Sequence, residues 1–109
     1  MKLLTKANHA KLRKNAQNRG QNYFPVVKFF TPWGANTWLF TELGDDGDSL
    51  FGLGDLGMGF PELGYVSLAE LQTVKGPFGL GVERDLGFKA NKPLFAYATE
   101  AQEKGRICA

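Results

Sequence analysis

Apolar residues near the start of the chain recur at the spacing of one helix face. The stripe is thin and consists of Leu4, Ala7, Leu12 and Ala16. Thr5 is a plausible N-cap because its hydroxyl can accept a hydrogen bond from a backbone N–H of the first turn. Gly20 is a plausible residue to end the helix. The pattern predicts a helix from Thr5 to Gln17.

The next apolar runs are rich in β-branched and aromatic residues, which favours strands. Residues 25–30 and 37–41 bracket a loop at 32–36 and predict a hairpin. The Asp- and Gly-rich segment 45–48 predicts a tight turn, after which 49–53 resembles a third strand. Together these segments predict a three-stranded antiparallel meander.

Aromatic residues crowd this hairpin, since both tryptophans and three of the nine phenylalanines lie within residues 28–40. Adjacent Phe29 and Phe30 must point to opposite faces of a strand, which predicts burial on both faces of the sheet. Trp33, in the loop, is the aromatic residue expected to be exposed. The predicted core includes Phe29, Trp38, Phe40, Phe51 and Leu53.

The second half of the chain has a sharper helix signal. Residues 52–64 contain many glycines and predict a loop. Ser67 and Glu70 have capping-box spacing, in which the hydroxyl and the carboxylate each accept a backbone N–H. A short helix is therefore expected near 67–74.

The remaining elements are a strand near 82–88 and a C-terminal helix from Leu94 to Lys104 that Gly105 closes. The predicted fold class is α+β, a small single domain with a central antiparallel β-sheet, a short capped helix and flanking N- and C-terminal helices. The predicted parts are a basic helix and connector, the sheet core, and a helix with tail, at 1–24, 25–95 and 96–109.

Charge is strongly segregated along the chain, although the net charge is only +2. Residues 1–41 contain seven lysines and arginines and no acid, whereas residues 42–74 contain seven acids and no base. Two interpretations stay open. The segments can form a dipolar surface that steers a charged partner, or they can pack together and neutralise each other.

Cys108 is the only cysteine, so an intrachain disulfide is impossible and a reducing environment is expected. No apolar run approaches the length of a membrane span, and none suits a signal peptide. We therefore expect a cytoplasmic protein without a membrane partner.

The chain contains partial matches to cofactor and metal motifs, but the surrounding residues lack what such sites require. Residues 52–57 match G-x-G-x-x-G, but Gly59 and Pro61 follow where a nucleotide-binding fold needs a helix. One histidine and one cysteine cannot form a structural zinc site. The acidic turn lacks the ligand spacing of an EF-hand. No cofactor and no metal are expected.

Nucleophilic catalysis would have to use Cys108, Ser49 or Ser67, with His9 as the conventional base. Ser67 is already explained by capping, and Cys108 is close to the end of the sequence. We therefore expect no catalytic residues and no enzyme activity.

Several segments together resemble the bacterial family catalogued as domain of unknown function 2958. They read MKLLTK, VKFFTPWGANTWLFTE, FGLGDLG, ELGYVSLAEL and GPFGLGVERDLGF. The resemblance implies small cytosolic proteins encoded largely on plasmids, phages and integrative elements, with no catalytic residues to carry over. Segments 7–22 and 54–59, and the tail after Pro93, depart from the pattern.

Two functions stay open. The preferred one is a non-enzymatic mobile-element or phage accessory protein that binds a protein partner, and inhibition of a host defence system such as restriction or CRISPR is one concrete form of it. Its acidic surface would imitate nucleic-acid phosphate and consists of Asp45, Asp46, Asp48 and Asp55. The alternative is a small nucleic-acid-binding accessory protein. Its binding residues would be Lys6, Lys11, Arg13, Lys14, Arg19 and Trp33.

Overall fold

A computed structural model describes residues 2–109. The α-helices are α1 (Lys6–Ala16), α2 (Leu68–Thr73) and α3 (Leu94–Lys104). The strands are β1 (Val27–Phe30), β2 (Thr37–Leu43), β3 (Ser49–Asp55), β4 (Glu62–Ser67) and β5 (Glu83–Arg84). A short 3₁₀ turn occupies Pro77–Gly79. None of the helices in the described range is long and apolar enough to cross a lipid bilayer.

The five strands form one antiparallel sheet in the order β4-β3-β2-β1-β5. This sheet and the three helices confirm the α+β class. β2 lies at the centre, where Phe29 pairs with Trp38 and Leu39 pairs with Leu53. The hairpin and the meander predicted from the apolar runs are both present.

Both faces of the sheet are buried, as the mixed parity of the aromatic residues predicts. One core cluster contains Leu12 of α1 and Leu71 of α2 packed against one face. The opposite cluster contains Tyr97 of α3. Of the predicted core, four side chains are buried and Phe51 is half-buried.

Helix α1 packs along the C-terminal end of β2, which extends past the first residue of β1. Val27 is opposite Phe40, so the last residues of β2 have no partner in β1. Arg13 Nη1 donates to the carbonyl of Leu43 at 2.8 Å, and Asn15 Nδ2 donates to that of Thr41 at 2.9 Å. Two side chains of α1 therefore satisfy carbonyls that a neighbouring strand would otherwise bind.

The loop predicted over residues 52–64 is too long, because β3 continues to Asp55 and β4 begins at Glu62, which leaves residues 56–61 as the loop. Glycine normally weakens a strand, which is why the sequence indicates a loop there. A Cβ atom at Gly52 would overlap the backbone of Leu39. Close approach of two strands therefore requires a glycine within β3. The last strand is also shorter than predicted, with only Glu83 and Arg84.

The helix ends follow their predicted caps closely. Thr5 and Asn8 form a reciprocal capping box at α1, and Gly105 ends α3 in the left-handed conformation at φ 73°. Ser67 Oγ accepts the Glu70 N–H at 3.2 Å, as predicted. The predicted return bond from the Ser67 N–H to the Glu70 carboxylate is not formed at this described helix start; instead Asp48 Oδ1 accepts the Ala69 N–H at 2.8 Å.

Candidate nucleic-acid interface

The acidic turn between β2 and β3 uses most of its oxygens internally. Asp46 accepts the N–H groups of Asp48 and Ser49, each at 2.9 Å, and the Ser49 hydroxyl at 2.6 Å. These bonds, above all those from Ser49, lower the pKa of Asp46 to about 2. Asp48 accepts the Ser67 hydroxyl at 2.7 Å and is half-buried. Asp45 and Asp46 are exposed.

Asp55 does not belong to an acidic surface, which corrects the sequence prediction. Its side chain is only 3% exposed. Oδ1 accepts the Gly57 N–H at 2.8 Å, and Oδ2 accepts the Ile107 N–H at 3.0 Å. Asp55 thus joins the β3–β4 connection to the segment that follows α3.

The predicted nucleic-acid-binding residues separate into two groups. Lys6, Lys11 and Lys14 are exposed on α1. Arg13 is half-buried against the carbonyl of Leu43. Arg19 is exposed, but its guanidinium group contacts other side chains of the protein.

Arg19 lies beside the edge strand of the sheet. Its Nη1 donates to the hydroxyl of Tyr65 at 2.9 Å and lies 3.7 Å from Oε1 of Glu42. Burial raises the pKa of Glu42, and the Arg19 charge partly opposes this shift. The contact is one place where the basic and acidic segments neutralise each other.

Trp33 is partly buried, although the sequence predicts that it is exposed. A Cβ atom at Gly76 would overlap the Trp33 indole, so the ring lies directly against the Gly76 backbone. The absent side chain at Gly76 makes this contact possible. Trp33 therefore supports the loop that follows α2 instead of offering a free stacking face.

Two adjoining clefts separate the segment before α1 from α2 and β5. Their volumes are about 680 and 630 Å³, and they share Lys2, Leu3 and Gln72. We call them the basic groove. The basic side chains in its lining are Lys2, Lys6, His9, Lys75 and Arg84, beside the apolar residues Leu3, Leu4, Leu68, Leu71 and Val82. Glu83 is the one carboxylate in this lining.

Arg84 fixes one wall of the basic groove. Its Nη1 donates to the carbonyls of Lys2 and Leu3, at 2.9 and 2.7 Å. Leu3 is buried in the core, which holds the segment that carries Lys2. The cap at Thr5 then starts α1, so that Lys6 and His9 in its first turn line the same cleft.

An aromatic residue projects from the loop that follows the basic groove. Lys75 pairs with Gly81 across the base of this loop, and the Gly76 N–H donates to the carbonyl of Leu80 at 2.7 Å. Within this loop, Phe78 is 100% exposed and has a positive φ of 59°. A bulky residue in this conformation carries backbone strain. The fold does not use its side chain.

Sequence reasoning missed Phe78, Lys75, Lys2 and Arg84 as site residues. The signal for Phe78 is Gly76-Pro77-Phe78-Gly79, in which an apolar side chain interrupts a turn composition. Lys2 is separated from Lys75 and Arg84 by more than 70 positions along the sequence. Only the fold brings them to one groove.

The two serines among the potential nucleophiles have structural partners. The hydroxyls of Ser49 and Ser67 donate to Asp46 and Asp48. Across residues 2–109, the structure contains no group of three or more His, Cys, Asp or Glu residues arranged to hold a metal ion.

The sequence model of a family described as "Protein of unknown function (DUF2958)" matches residues 3–108, nearly the whole chain. No curated protein and no solved structure matches the chain.

Proposed function

We propose that this chain, which belongs to the family described as protein of unknown function (DUF2958), binds single-stranded nucleic acid without catalysing a reaction on it. The observation that carries the proposal is the basic groove with the exposed Phe78 on the adjoining loop. The resemblance noted above implies a setting on a mobile element or phage, where the protein would act as an accessory factor.

The charge of the groove supports a polyanionic ligand. Lysine and arginine side chains that contact phosphates release condensed counterions, and this release supplies sequence-independent affinity. Lys2, Lys6 and Lys75 are exposed and form no salt bridge within the described residues. Their charges are therefore available to a ligand, unlike that of Arg19.

The exposed Phe78 ring favours single-stranded nucleic acid over a duplex as the ligand. Proteins that bind single strands combine a basic groove with aromatic side chains on which bases stack. A base within a duplex is already stacked on both sides, so an exposed aromatic ring gains little from it. Trp33 contributes indirectly, since its indole holds the Gly76 backbone at the start of the Phe78 loop.

Replacing Phe78 by Ala tests the stacking role. Each base stacked on an aromatic residue contributes about 1–3 kcal/mol, so we expect a loss of about 5- to 150-fold in affinity for a single-stranded oligonucleotide. Fluorescence anisotropy with labelled oligothymidylate and a labelled duplex gives the measurement. We expect the affinity for the duplex to be lower in the wild type and to change little in the variant.

The matched control is Leu86→Ala, which removes another strongly exposed apolar side chain in a different loop. This variant should bind like the wild type. Both variants should keep the wild-type unfolding temperature, because neither side chain is buried. Equal loss of affinity in the two variants, or none in Phe78→Ala, contradicts the stacking role.

The acidic turn supports a second candidate function, inhibition of a host defence protein such as a restriction or CRISPR component. Asp45 and Asp46 are adjacent and exposed, and a pKa of about 2 keeps Asp46 ionised at any physiological pH. Such carboxylates could occupy a basic site on a protein partner. Asp45→Asn with Asp46→Asn should then abolish that interaction and leave oligonucleotide binding intact.

A further inference from the structure

Strand β4 forms one edge of the sheet, and its outer backbone groups face away from β3. Antiparallel ladders bond alternate residues to each side. The N–H of Leu68 donates to the carbonyl of Asp48 at 2.8 Å, on the β3 side. Gly64 and Val66 share the parity of Leu68, so the N–H and C=O groups of Leu63 and Tyr65 point outward.

The backbone of this edge lacks most of the features that prevent strand pairing, although Arg19 donates to the hydroxyl at the tip of the Tyr65 side chain. Natural edge strands are blocked by lysine, proline, bulges or short length. β4 has six residues and contains neither a basic residue nor a proline between Glu62 and Ser67. The opposite edge, β5, has only two residues.

Exposed apolar side chains surround the same edge. Leu63 and Tyr65 are 41% and 60% exposed, and both belong to β4 itself. A groove of about 280 Å³ lies beside the strand, where Gly52, Gly54 and Gly64 carry no side chains. Its lining includes the exposed residues Leu56 and Phe60. Apolar surface of this kind is typical of an interaction site.

We propose that β4 pairs antiparallel with β4 of a second copy, so that the two sheets form one continuous ten-stranded sheet. With a two-fold axis at Gly64, Leu63 of each copy lies opposite Tyr65 of the other. This register satisfies all the outward backbone groups of both residues. It also forms two aliphatic–aromatic cross-strand pairs, which stabilise sheets.

A second copy fits this edge without placing like charges opposite each other. In this register Glu62 lies opposite Val66 of the other copy, so the only charged residue of β4 never faces its own symmetry mate. Gly64 faces Gly64, which brings the two apolar grooves together across the axis. An edge with apolar side chains and symmetric hydrogen-bonding capacity is complementary to itself, as a two-fold interface requires.

Sedimentation velocity with the full chain tests the dimer independently of nucleic-acid binding. Across about 1 to 200 μM, a range that covers ordinary homodimer affinities, the wild type should approach twice its 12.0 kDa mass. Leu63→Lys introduces a charge at the interface and should remain at 12.0 kDa over this range. A wild type that stays at 12.0 kDa throughout overturns the proposal.

Two further variants make the outcome specific. Tyr65→Pro removes an outward N–H, which an edge strand tolerates, and should also give a monomer. Leu86→Lys changes an exposed leucine outside β4 and should dimerise like the wild type. Circular dichroism confirms that each variant is folded. Dimers in both folded β4 variants, or a monomer in Leu86→Lys, would count against β4 pairing.

Discussion

Reversing three charges of the basic groove, with Lys2→Glu, Lys6→Glu and Lys75→Glu together, is expected to weaken binding of a single-stranded oligonucleotide by at least about 100-fold. Each phosphate contact on a single strand contributes a salt slope of about −0.7, which near 0.1 M salt corresponds to about fivefold in affinity. Three lost contacts therefore give about 100-fold, and the new carboxylates add repulsion. Anisotropy titrations at fixed salt measure the change.

The control makes the same change in net charge elsewhere. Lys89, Lys104 and Arg106 are exposed and lie outside the groove. Their replacement by Glu should weaken binding by less than about tenfold, because charges beyond a Debye length are largely screened. Equal effects in the two triple variants would indicate that net charge alone, and not the groove, governs binding.

Replacing Trp38 by Ala is expected to lower the free energy of unfolding by about 3–5 kcal/mol, the usual cost of truncating a buried tryptophan. Trp38 is only 5% exposed and belongs to the core cluster beneath α1 and α2. Such a loss is a large part of the total stability of a small domain. Urea unfolding followed by far-ultraviolet circular dichroism gives the value.

Phe78→Ala is the aromatic control for this experiment, because Phe78 is fully exposed. Its free energy of unfolding should match that of the wild type within about 0.5 kcal/mol, as for most surface substitutions. An unchanged midpoint for Trp38→Ala would mean that the residue is not a core residue.

Much of the fold was predictable because helix caps and strand patterns depend on residues that are close together in the sequence. Thr5 caps α1 and Gly105 ends α3, as backbone chemistry requires. The mixed parity of the hairpin aromatics correctly predicted a sheet buried on both faces. Gly52 and Gly64 concealed the extent of β3 and β4, because glycine normally weakens a strand. Gly52 is required by the close approach of β2, a tertiary contact that local propensity does not record.

The candidate site was less predictable because it depends on contacts between distant residues. Charge runs identified Lys6, but nothing local indicates that Arg84 holds the backbone next to Lys2. Asp55 and Asp45 look equivalent in sequence, yet one is buried and the other exposed. The exposed ring is Phe78 instead of Trp33, since only the fold reveals that Trp33 packs on a glycine.

The central claim is that the basic groove binds single-stranded nucleic acid through phosphate contacts, and the salt dependence of wild-type binding tests it most directly. Anisotropy titrations of oligothymidylate between about 50 and 300 mM salt should give a linear plot of log affinity against log salt concentration. With three or four contacts from the groove, the slope should be about −2 to −3. A slope near zero, or no binding at the lowest salt, would contradict the account.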